Sequence, residues 1–225
     1  MKKSLLLLIP LMLTLGACNT RKEPEVPDIP DTPDKPDWGE TSTQEIVFKG
    51  DKARSGLGSG SQLGTNAFDT ALTSLINSQT DNALTALGGQ KCGTQLVGGD
   101  AGSDTSLTIG TGSYDGLIYF TFDLDIIKIE ATLQNYYKPH HDYEHNVDVS
   151  GVDVDAEVVM CSYSPVGGVK ESKEVNLATE DAVSIPAERN ETLEFKESTN
   201  TIAFYNTASK HRTYIHSLTI TYLVK

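Results

Sequence analysis

Basic residues are scarce in this chain of 225 residues, which has 18 Lys and Arg against 31 Asp and Glu and a formal net charge of −13. Because phosphate backbones are bound through Lys and Arg, the excess of acid argues against nucleic acid as a partner. It also argues against adhesion to anionic lipids by charge. Tryptophan is scarcer still: Trp38 is the single one, and it lies in a linker-like segment, which weakens a sugar site built on indole rings.

Long apolar runs and catalytic signatures are also few. The run from Leu5 to Leu15 is too short to cross a bilayer, and no later segment is long enough. The lipase-type G-x-S-x-G, the zinc-protease H-E-x-x-H, the P-loop and the dinucleotide fingerprints are absent. We therefore assign no catalytic residue and expect a protein that is not an enzyme, although a triad assembled by the fold stays open at this point.

The N-terminus has the layout of a secretory signal. Lys2 and Lys3 precede the apolar run, and the run ends at Leu15-Gly16-Ala17-Cys18. This ending resembles a bacterial lipobox, which implies cleavage after residue 17 and a diacylglycerol on the thiol of Cys18, with palmitate-type acylation. The resemblance implies a lipid-anchored, extracytoplasmic protein of the cell membrane or outer membrane; the alternative is an ordinary signal peptide with an incidental Cys.

Residues 18–43 are predicted to be a spacer. Proline recurs at every third position, and aspartate does so in its own register, at Pro24, Pro27, Pro30, Pro33, Pro36, Asp28, Asp31, Asp34 and Asp37. A polyproline II helix has three residues per turn, and like charges along one edge extend the chain. Such a tether would reach about 60 Å from the lipid.

Residues 44–225 are predicted to form one all-β domain. The first strand is predicted at Gln44–Phe48, and from Thr105 onward apolar and polar residues alternate, as in strands with one solvated face. About eight such runs without an alternating βαβ pattern predict an antiparallel two-sheet β-sandwich, jelly-roll-like in topology. A turn is predicted at Ser198-Thr199-Asn200. In the last strand one face is predicted to carry Tyr214, His216, Leu218, Ile220 and Tyr222.

One or two short helices are predicted near the start of this domain. The apolar residues recur at helical spacing, and the pattern ends at Gly88-Gly89; they are Phe68, Ala71, Leu72, Leu75, Ile76, Ala83, Leu84 and Leu87.

Two cysteines remain if Cys18 carries lipid. Cys92 and Cys161 form an even pair in an exported chain, so the compartment permits a disulfide between them. Two separate buried thiols are the alternative, because a free Cys packs as a small apolar residue.

The densest polar cluster runs from Tyr136 to His145. Three of the five histidines, His140, His141 and His145, fall within six positions and could bind zinc, nickel or copper. Alternatively, tyrosine rings could stack on a sugar while Asp or His bonds its hydroxyls, and the lip would then comprise Tyr136, Tyr137, His140, His141, Tyr143 and His145. A hydrated loop without a ligand is the third interpretation.

Two further features have structural interpretations. The segment Gly98–Asp104 is predicted to be a turn, with a structural Ca²⁺ as the alternative and no other cofactor expected. His216 is predicted to be a hydrogen-bonded core or edge histidine, and Arg212 a structural partner for a carboxylate.

An ordered series of segments carries a family resemblance: Leu96–Ile109, Ile126–Thr132, Thr201–Phe204 and the closing Arg212–Tyr222. The series resembles a β-sandwich module of bacterial surface lipoproteins and secreted proteins, related copies of which sit beside extracellular nucleases. The resemblance implies a carbohydrate-binding-type jelly roll and carries no catalytic residue. We therefore predict non-catalytic recognition of a glycan or a surface protein. The alternatives are a metal-dependent hydrolase using His140–His145 and a purely structural envelope component.

Overall fold

The computed structural model describes residues 36–51, 62–99, 104–111, 113–144, 146–149, 151, 156–179, 184–207 and 211–225. The predicted signal, Cys18, most of the spacer, and the positions His145, Val152 and Val154 lie outside these residues. The described residues contain one helix, α1 (Asn66–Asn77), and twelve strands. The strands are β1 (Thr41–Val47), β2 (Gly50–Asp51), β3 (Leu84–Gln90), β4 (Cys92–Leu96), β5 (Asp104–Ile109), β6 (Leu117–Asn135), β7 (His140–Asp142), β8 (Val147–Val149), β9 (Glu157–Ser164), β10 (Gly168–Asn176), β11 (Arg189–Asn206) and β12 (Thr213–Leu223).

Two long strands, β6 and β11, join the two halves of the sheet. The first part of β6 pairs with β3 and the second part with β12, while β11 runs antiparallel along both parts. Between Glu194 and Thr201 the β11–β6 register shifts twice. Such irregularities bend a strand and increase its twist, so the sheet curls at this point. Ten strands form one continuous sheet, and its curl makes two layers. The first layer contains β3, β9, β10 and the parts of β6 and β11 that pair with them. The second layer contains β12, β1, β5, β4, β2 and the remaining parts of β6 and β11.

The interior between the layers is one cluster of buried apolar side chains. Phe48, just after β1, stacks on Phe120 of β6 with ring centroids 6.1 Å apart, so the cluster joins both layers. The predicted alternation on β6 is confirmed, since Ile118, Phe120 and Phe122 are all buried. The predicted all-β, jelly-roll-like antiparallel β-sandwich is confirmed as well.

The stretch predicted to be helical is half helix and half strand. Helix α1 buries Phe68, Leu72 and Ile76, as predicted. The prediction for Leu84–Gly89 was wrong, because these residues form β3 and pair with β6. Helix α1 ends at Asn77, and a turn follows in which Asp81 and Asn82 adopt left-handed backbone angles, with φ of 50° and 63°, so a right-handed helix cannot continue to Leu84.

Two local predictions on the long strands were also wrong. No turn occurs at Ser198–Asn200; β11 continues through these residues, with its register shifted against β6. On β12 the ladder with β6 slips between Ile215 and Ser217, and the main-chain N–H groups of Phe48 and Lys49 both donate to the carbonyl of His216. This bulge changes which residues face the core.

The bulge separates the first residues of β12 from the apolar face. Ile215, Leu218 and Ile220 belong to the main core cluster, whereas Tyr214 and His216 do not. An extra residue in a strand breaks the strict alternation of faces, so Tyr214 and His216 lie on the side opposite the core.

In the part of the chain described, no helix combines the length and hydropathy needed to cross a bilayer.

Candidate functional site

The predicted sugar-binding lip begins at Tyr136, which the structure buries. Only 5% of the residue is exposed, and its ring packs against Tyr214 with centroids 5.3 Å apart. The Arg212 guanidinium lies 3.3 Å from the Tyr136 ring centre, and Nη1 of Arg212 donates to Gln95. Because Tyr136 is buried between these groups, it cannot stack on a sugar as predicted. Arg212 is structural, as expected, but its recorded partners are a ring and an amide.

His140 and His141 lie on β7, which forms a short hairpin with β8. His140 and His141 are consecutive in β7, so their side chains point to opposite faces of the hairpin. Nδ1 of His140 lies 3.3 Å from the Lys138 carbonyl, and the His141 ring meets Tyr143 edge-on at 4.8 Å. Among the described residues no group of three metal-binding side chains converges, and His145 lies outside them. Tyr137, Tyr143 and the three histidines stay predictions.

Cys92 and Cys161 are free thiols, so the disulfide considered for them is not formed. Cys92 belongs to the main core cluster and Cys161 to a second cluster with Val159 and Ala203. Burial raises the pKa of both thiols to about 12. The alternative of two separate buried thiols describes the structure.

His216 is the centre of a buried hydrogen-bond network, as predicted, and the bulge places it there. Nε2 of His216 lies 2.8 Å from Oε1 of Gln134, whose amide N–H donates to the Pro186 carbonyl at 2.6 Å. That orientation makes Nε2 a donor. The Ser106 hydroxyl donates to the Ile215 carbonyl at 2.8 Å, and its oxygen lies 3.0 Å from Nδ1 of His216.

Burial and two nearby charges determine the pKa of His216. Burial, and then the Lys49 ammonium, lower the pKa of His216 to about 4, and the Glu188 carboxylate opposes this shift. Glu188 lies 3.8 Å from Nε2 and forms an ion pair with Lys49, whose hydrogen bond lowers the pKa of Glu188. Ser106 is fully buried and His216 is 3% exposed, so the pair resembles part of a triad but has no access to a substrate.

The outer face of the first layer carries three tyrosines, which the sequence analysis did not single out. Tyr119 lies on β6, Tyr163 on β9 and Tyr205 on β11, and each packs partly exposed against the small buried cluster of Val159, Cys161 and Ala203. We call these three residues the tyrosine face. Alternation with core residues predicts only that these tyrosines face solvent, and it does not indicate that they lie together. The signal in the sequence is that three separate predicted strands each carry a tyrosine at an outward-facing position.

Small residues bring two of these rings together. Ala203 of β11 pairs with Tyr119 on one side and, on the other, with Cys161, two residues before Tyr163 on β9, so only a methyl group separates Tyr119 from strand β9 at this position. The ring centroids of Tyr119 and Tyr163 are 5.5 Å apart and the ring planes differ by 30°. On the other side, a Cβ atom at Gly88 would overlap the Tyr119 ring, so glycine is required for this ring position.

Tyr205 extends the face along β11. It pairs with Leu117 of β6 and Val159 of β9, diagonal to Tyr119. Burial, followed by the nearby groups of Cys161, Glu174 and Glu157, raises the pKa of the Tyr205 phenol. The hydroxyl is therefore protonated at neutral pH and can donate a hydrogen bond at this face.

A polar cavity of about 350 Å³ adjoins Tyr163. Its wall is the irregular part of β11, Ser198–Thr201, together with Asp125 and Lys170. The Thr201 hydroxyl lies 3.0 Å from that of Thr121 and donates to the Asn200 side chain. An aromatic surface beside hydroxyl, amide and charged groups is an arrangement that binds a polyhydroxylated ring through its apolar face and its hydroxyls at once.

Comparison with known proteins identifies no family for this chain: no protein-family model matches the sequence, and no curated protein is similar enough to count as a relative. Solved structures show distant similarity. A mutant of CBM29-2, a family 29 carbohydrate-binding module, aligns with 81% of this chain and 93% of its own at 11% identity and a TM-score of 0.42.

Two other solved structures are similarly distant. TmCBM61, solved in complex with β-1,4-galactotriose, covers 62% of this chain and 88% of its own at 8% identity and a TM-score of 0.35. The K2 cleaved adhesin domain of Lys-gingipain aligns with 60% of this chain and 88% of its own, at 13% identity and a TM-score of 0.36. At these values the similarity assigns neither a family nor a ligand, and the site must be judged from its own geometry.

Proposed function

We propose that this chain is a non-catalytic glycan-binding module, presented outside the cytoplasm by a lipid on Cys18. The observation that carries the proposal is the tyrosine face beside the polar cavity. Two of its rings, Tyr119 and Tyr163, lie in contact and make one partly exposed aromatic surface on a rigid sheet. Because the strands fix these rings before a ligand arrives, little conformational entropy is lost on binding.

The chemistry of the site matches a sugar better than an apolar ligand. A pyranose presents C–H groups on its faces and hydroxyls around its rim, so it needs an aromatic surface and hydrogen-bonding groups side by side. The tyrosines supply the first, and Asn200, Thr201 and Asp125 at the adjoining cavity supply the second. The predicted lip at Tyr136–His145 fits less well, because Tyr136 is buried.

A role without catalysis is supported by the burial of the network around His216. The serine and histidine that come closest to a nucleophile and a base are sealed from solvent, and burial lowers the pKa of the imidazole to about 4. A histidine without access to substrate stabilises the fold and transfers no proton in a reaction.

The anchor is inferred from the sequence. The lipobox-like segment ending at Cys18 and the Pro/Asp spacer behind it would hold the β-sandwich about 60 Å from the membrane. At that distance the tyrosine face would meet polysaccharides or glycoproteins of the surroundings. A surface protein stays the alternative partner.

A glycan microarray probed with the full-length chain in detergent tests the proposal. We expect binding to a defined set of glycans, and we expect Tyr119→Ala and Tyr163→Ala each to weaken it by about tenfold, the loss of one stacking contact. The matched control is Tyr114→Ala, because Tyr114 is 56% exposed and its ring contacts Lys91, outside the tyrosine face.

Absence of binding to every glycan on the array would contradict the proposal. Equal loss in Tyr114→Ala and in the two site variants would contradict the assigned surface. Recovery of a specific protein partner whose binding survives both site variants would favour the alternative.

A further inference from the structure

The lysines of this acidic chain are distributed unevenly between ion pairs and open positions. In the described residues four lysines pair with carboxylates, namely Lys49, Lys128, Lys173 and Lys225. Lys91 lies over the Tyr114 ring, with its ammonium 4.6 Å from the ring centre. Within the same residues, the ammonium groups of Lys170 and Lys196 have neither an ion pair nor a ring contact nor a side-chain hydrogen bond.

Both of these lysines line one continuous polar surface. Lys170 lines the polar cavity beside Tyr163 and also a second cavity, of about 250 Å³, which contains Lys196. The two cavities share Ser198 and Thr199 as well as Lys170. Lys170 therefore lines the cavity beside Tyr163, and Lys196 lines the cavity that adjoins it.

The carboxylates near these lysines are mostly engaged elsewhere. The Glu171 carboxylate accepts hydrogen bonds from two main-chain N–H groups. Its two oxygens lie 3.0 and 3.2 Å from the nitrogen of Lys196, and one of them lies 3.4 Å from the nitrogen of Glu197. Asp125 pairs with Lys225, with Nζ and Oδ2 3.4 Å apart. Glu197 also lines the second cavity and is the one acidic side chain there whose carboxylate has no recorded contact in the described residues.

We propose that these two lysines bind an anionic substituent of the glycan, a uronate carboxylate or a sulfate ester, while Tyr163 stacks on the sugar that carries it. This inference rests on the proposed function and specifies its ligand class. The ammonium groups of both lysines have no internal partner among the described residues, and one of the two carboxylates in their cavity, that of Glu171, already accepts main-chain N–H groups. An ammonium donates strong, charge-assisted hydrogen bonds to carboxylate and sulfate oxygens, and the flanking hydroxyls of Ser198 and Thr199 can complete the contact.

Two matched pairs of polymers test the inference by biolayer interferometry on the immobilised full-length chain. The first pair is polygalacturonate and the same polymer after reduction of its carboxyl groups to alcohols. The second is dextran sulfate and dextran. We expect the wild-type chain to bind at least one anionic member about three- to tenfold more tightly than its neutral counterpart, as two exposed ion pairs allow. The pair that shows the preference identifies the anion as carboxylate or sulfate.

Variants assign the preference to residues. Lys170→Gln combined with Lys196→Gln should remove the preference, so that the anionic and neutral members bind equally, whereas Glu197→Gln should increase the preference. The control is Lys91→Gln combined with Lys128→Gln, which removes the same charge from other places in the fold. Thermal unfolding of each variant checks that it is folded.

Equal affinity for the anionic and neutral member of both pairs, or no binding of either anionic polymer, would overturn the inference. Retention of the preference in the Lys170/Lys196 variant would overturn it as well. The microarray with Tyr119→Ala and Tyr163→Ala decides the proposed function separately, because those glycans include neutral ones.

Discussion

The rings of Tyr119 and Tyr163 lie 5.5 Å apart, centroid to centroid, although their strands β6 and β9 are not neighbours in the sheet. Strand β11 runs between them, and its residue Ala203 pairs with Tyr119 and lies diagonal to Tyr163. The small side chain lets both rings lean over the middle strand and form one surface. A contact of this kind depends on three strands at once, so it exists only in the folded protein.

Gly88 should control the position of the Tyr119 ring. A Cβ atom at residue 88 would overlap that ring, so Gly88→Ala should displace the ring and weaken glycan binding severalfold. The fold should tolerate the change, because the ring is partly exposed and can move. Gly50→Ala is the control, since nothing lies within 4 Å of a Cβ atom there. Titration calorimetry measures both affinities, and unchanged binding by Gly88→Ala would contradict the assigned surface.

His216 should make the stability of the domain dependent on pH. Its pKa is lowered to about 4 in the folded chain, so the unfolded chain binds one more proton between about pH 6.5 and pH 4. The free energy of unfolding should therefore fall as the pH falls through this window, by at most about 3 kcal/mol. The groups around the imidazole are Ser106, Gln134, Glu188 and Lys49.

Urea unfolding of the His216→Gln variant across this pH window isolates the effect. The variant should have a flatter profile than the wild-type chain, even if it is less stable at every pH. His140→Gln, which replaces an exposed histidine, should leave the profile unchanged. Parallel profiles for the wild-type chain and His216→Gln would show that folding does not lower the pKa of His216.

The two buried thiols should be unreactive until the chain unfolds. Cys92 and Cys161 are less than 4% exposed and have pKa values of about 12, so neither forms thiolate at neutral pH. In a Cys18→Ala chain, a thiol reagent should find no reactive group in the native state and both after addition of urea. A reductant should leave the melting temperature unchanged; a fall would indicate a disulfide that the structure does not contain.

Cys18 should determine where the protein is found in cells. Because the lipid would be the anchor, Cys18→Ala should shift the protein from the membrane fraction to the soluble fraction. Cell fractionation followed by immunoblotting measures the shift, with Cys161→Ala as the control for loss of a cysteine. A Cys18→Ala protein that stays with the membrane would rule out the lipobox interpretation.

The sequence was sufficient for the elements that depend on local pattern. The alternation at Ile118, Phe120 and Phe122 predicted both the strand and its buried face, and the spacing of Phe68, Leu72 and Ile76 predicted the helix. The same spacing failed at Leu84 and Leu87, because a short apolar run fits either period. There the left-handed turn at Asp81 and Asn82 decides the outcome.

The candidate site could not be predicted, because non-local pairing creates it. The bulge at His216 reverses the faces of β12, and no residue type in Tyr214–Leu218 reports it. Tyr119, Tyr163 and Tyr205 are separated by more than 40 positions in sequence, and only the order β9–β11–β6 brings them to one surface. Conversely, Tyr136 lies in the densest aromatic segment but is covered by Arg212, which is remote in sequence.

The tyrosine ring resonances in an NMR titration test the central claim most directly. The full-length chain in detergent, labelled on tyrosine rings, would be titrated with the glycan that binds most tightly on the array. We predict that the resonances of Tyr119, Tyr163 and Tyr205 shift together and saturate at the binding stoichiometry, while that of Tyr114 does not move. Shifts confined to Tyr137 and Tyr143, with the tyrosine face unchanged, would contradict the account and return the site to the segment Tyr136–His145.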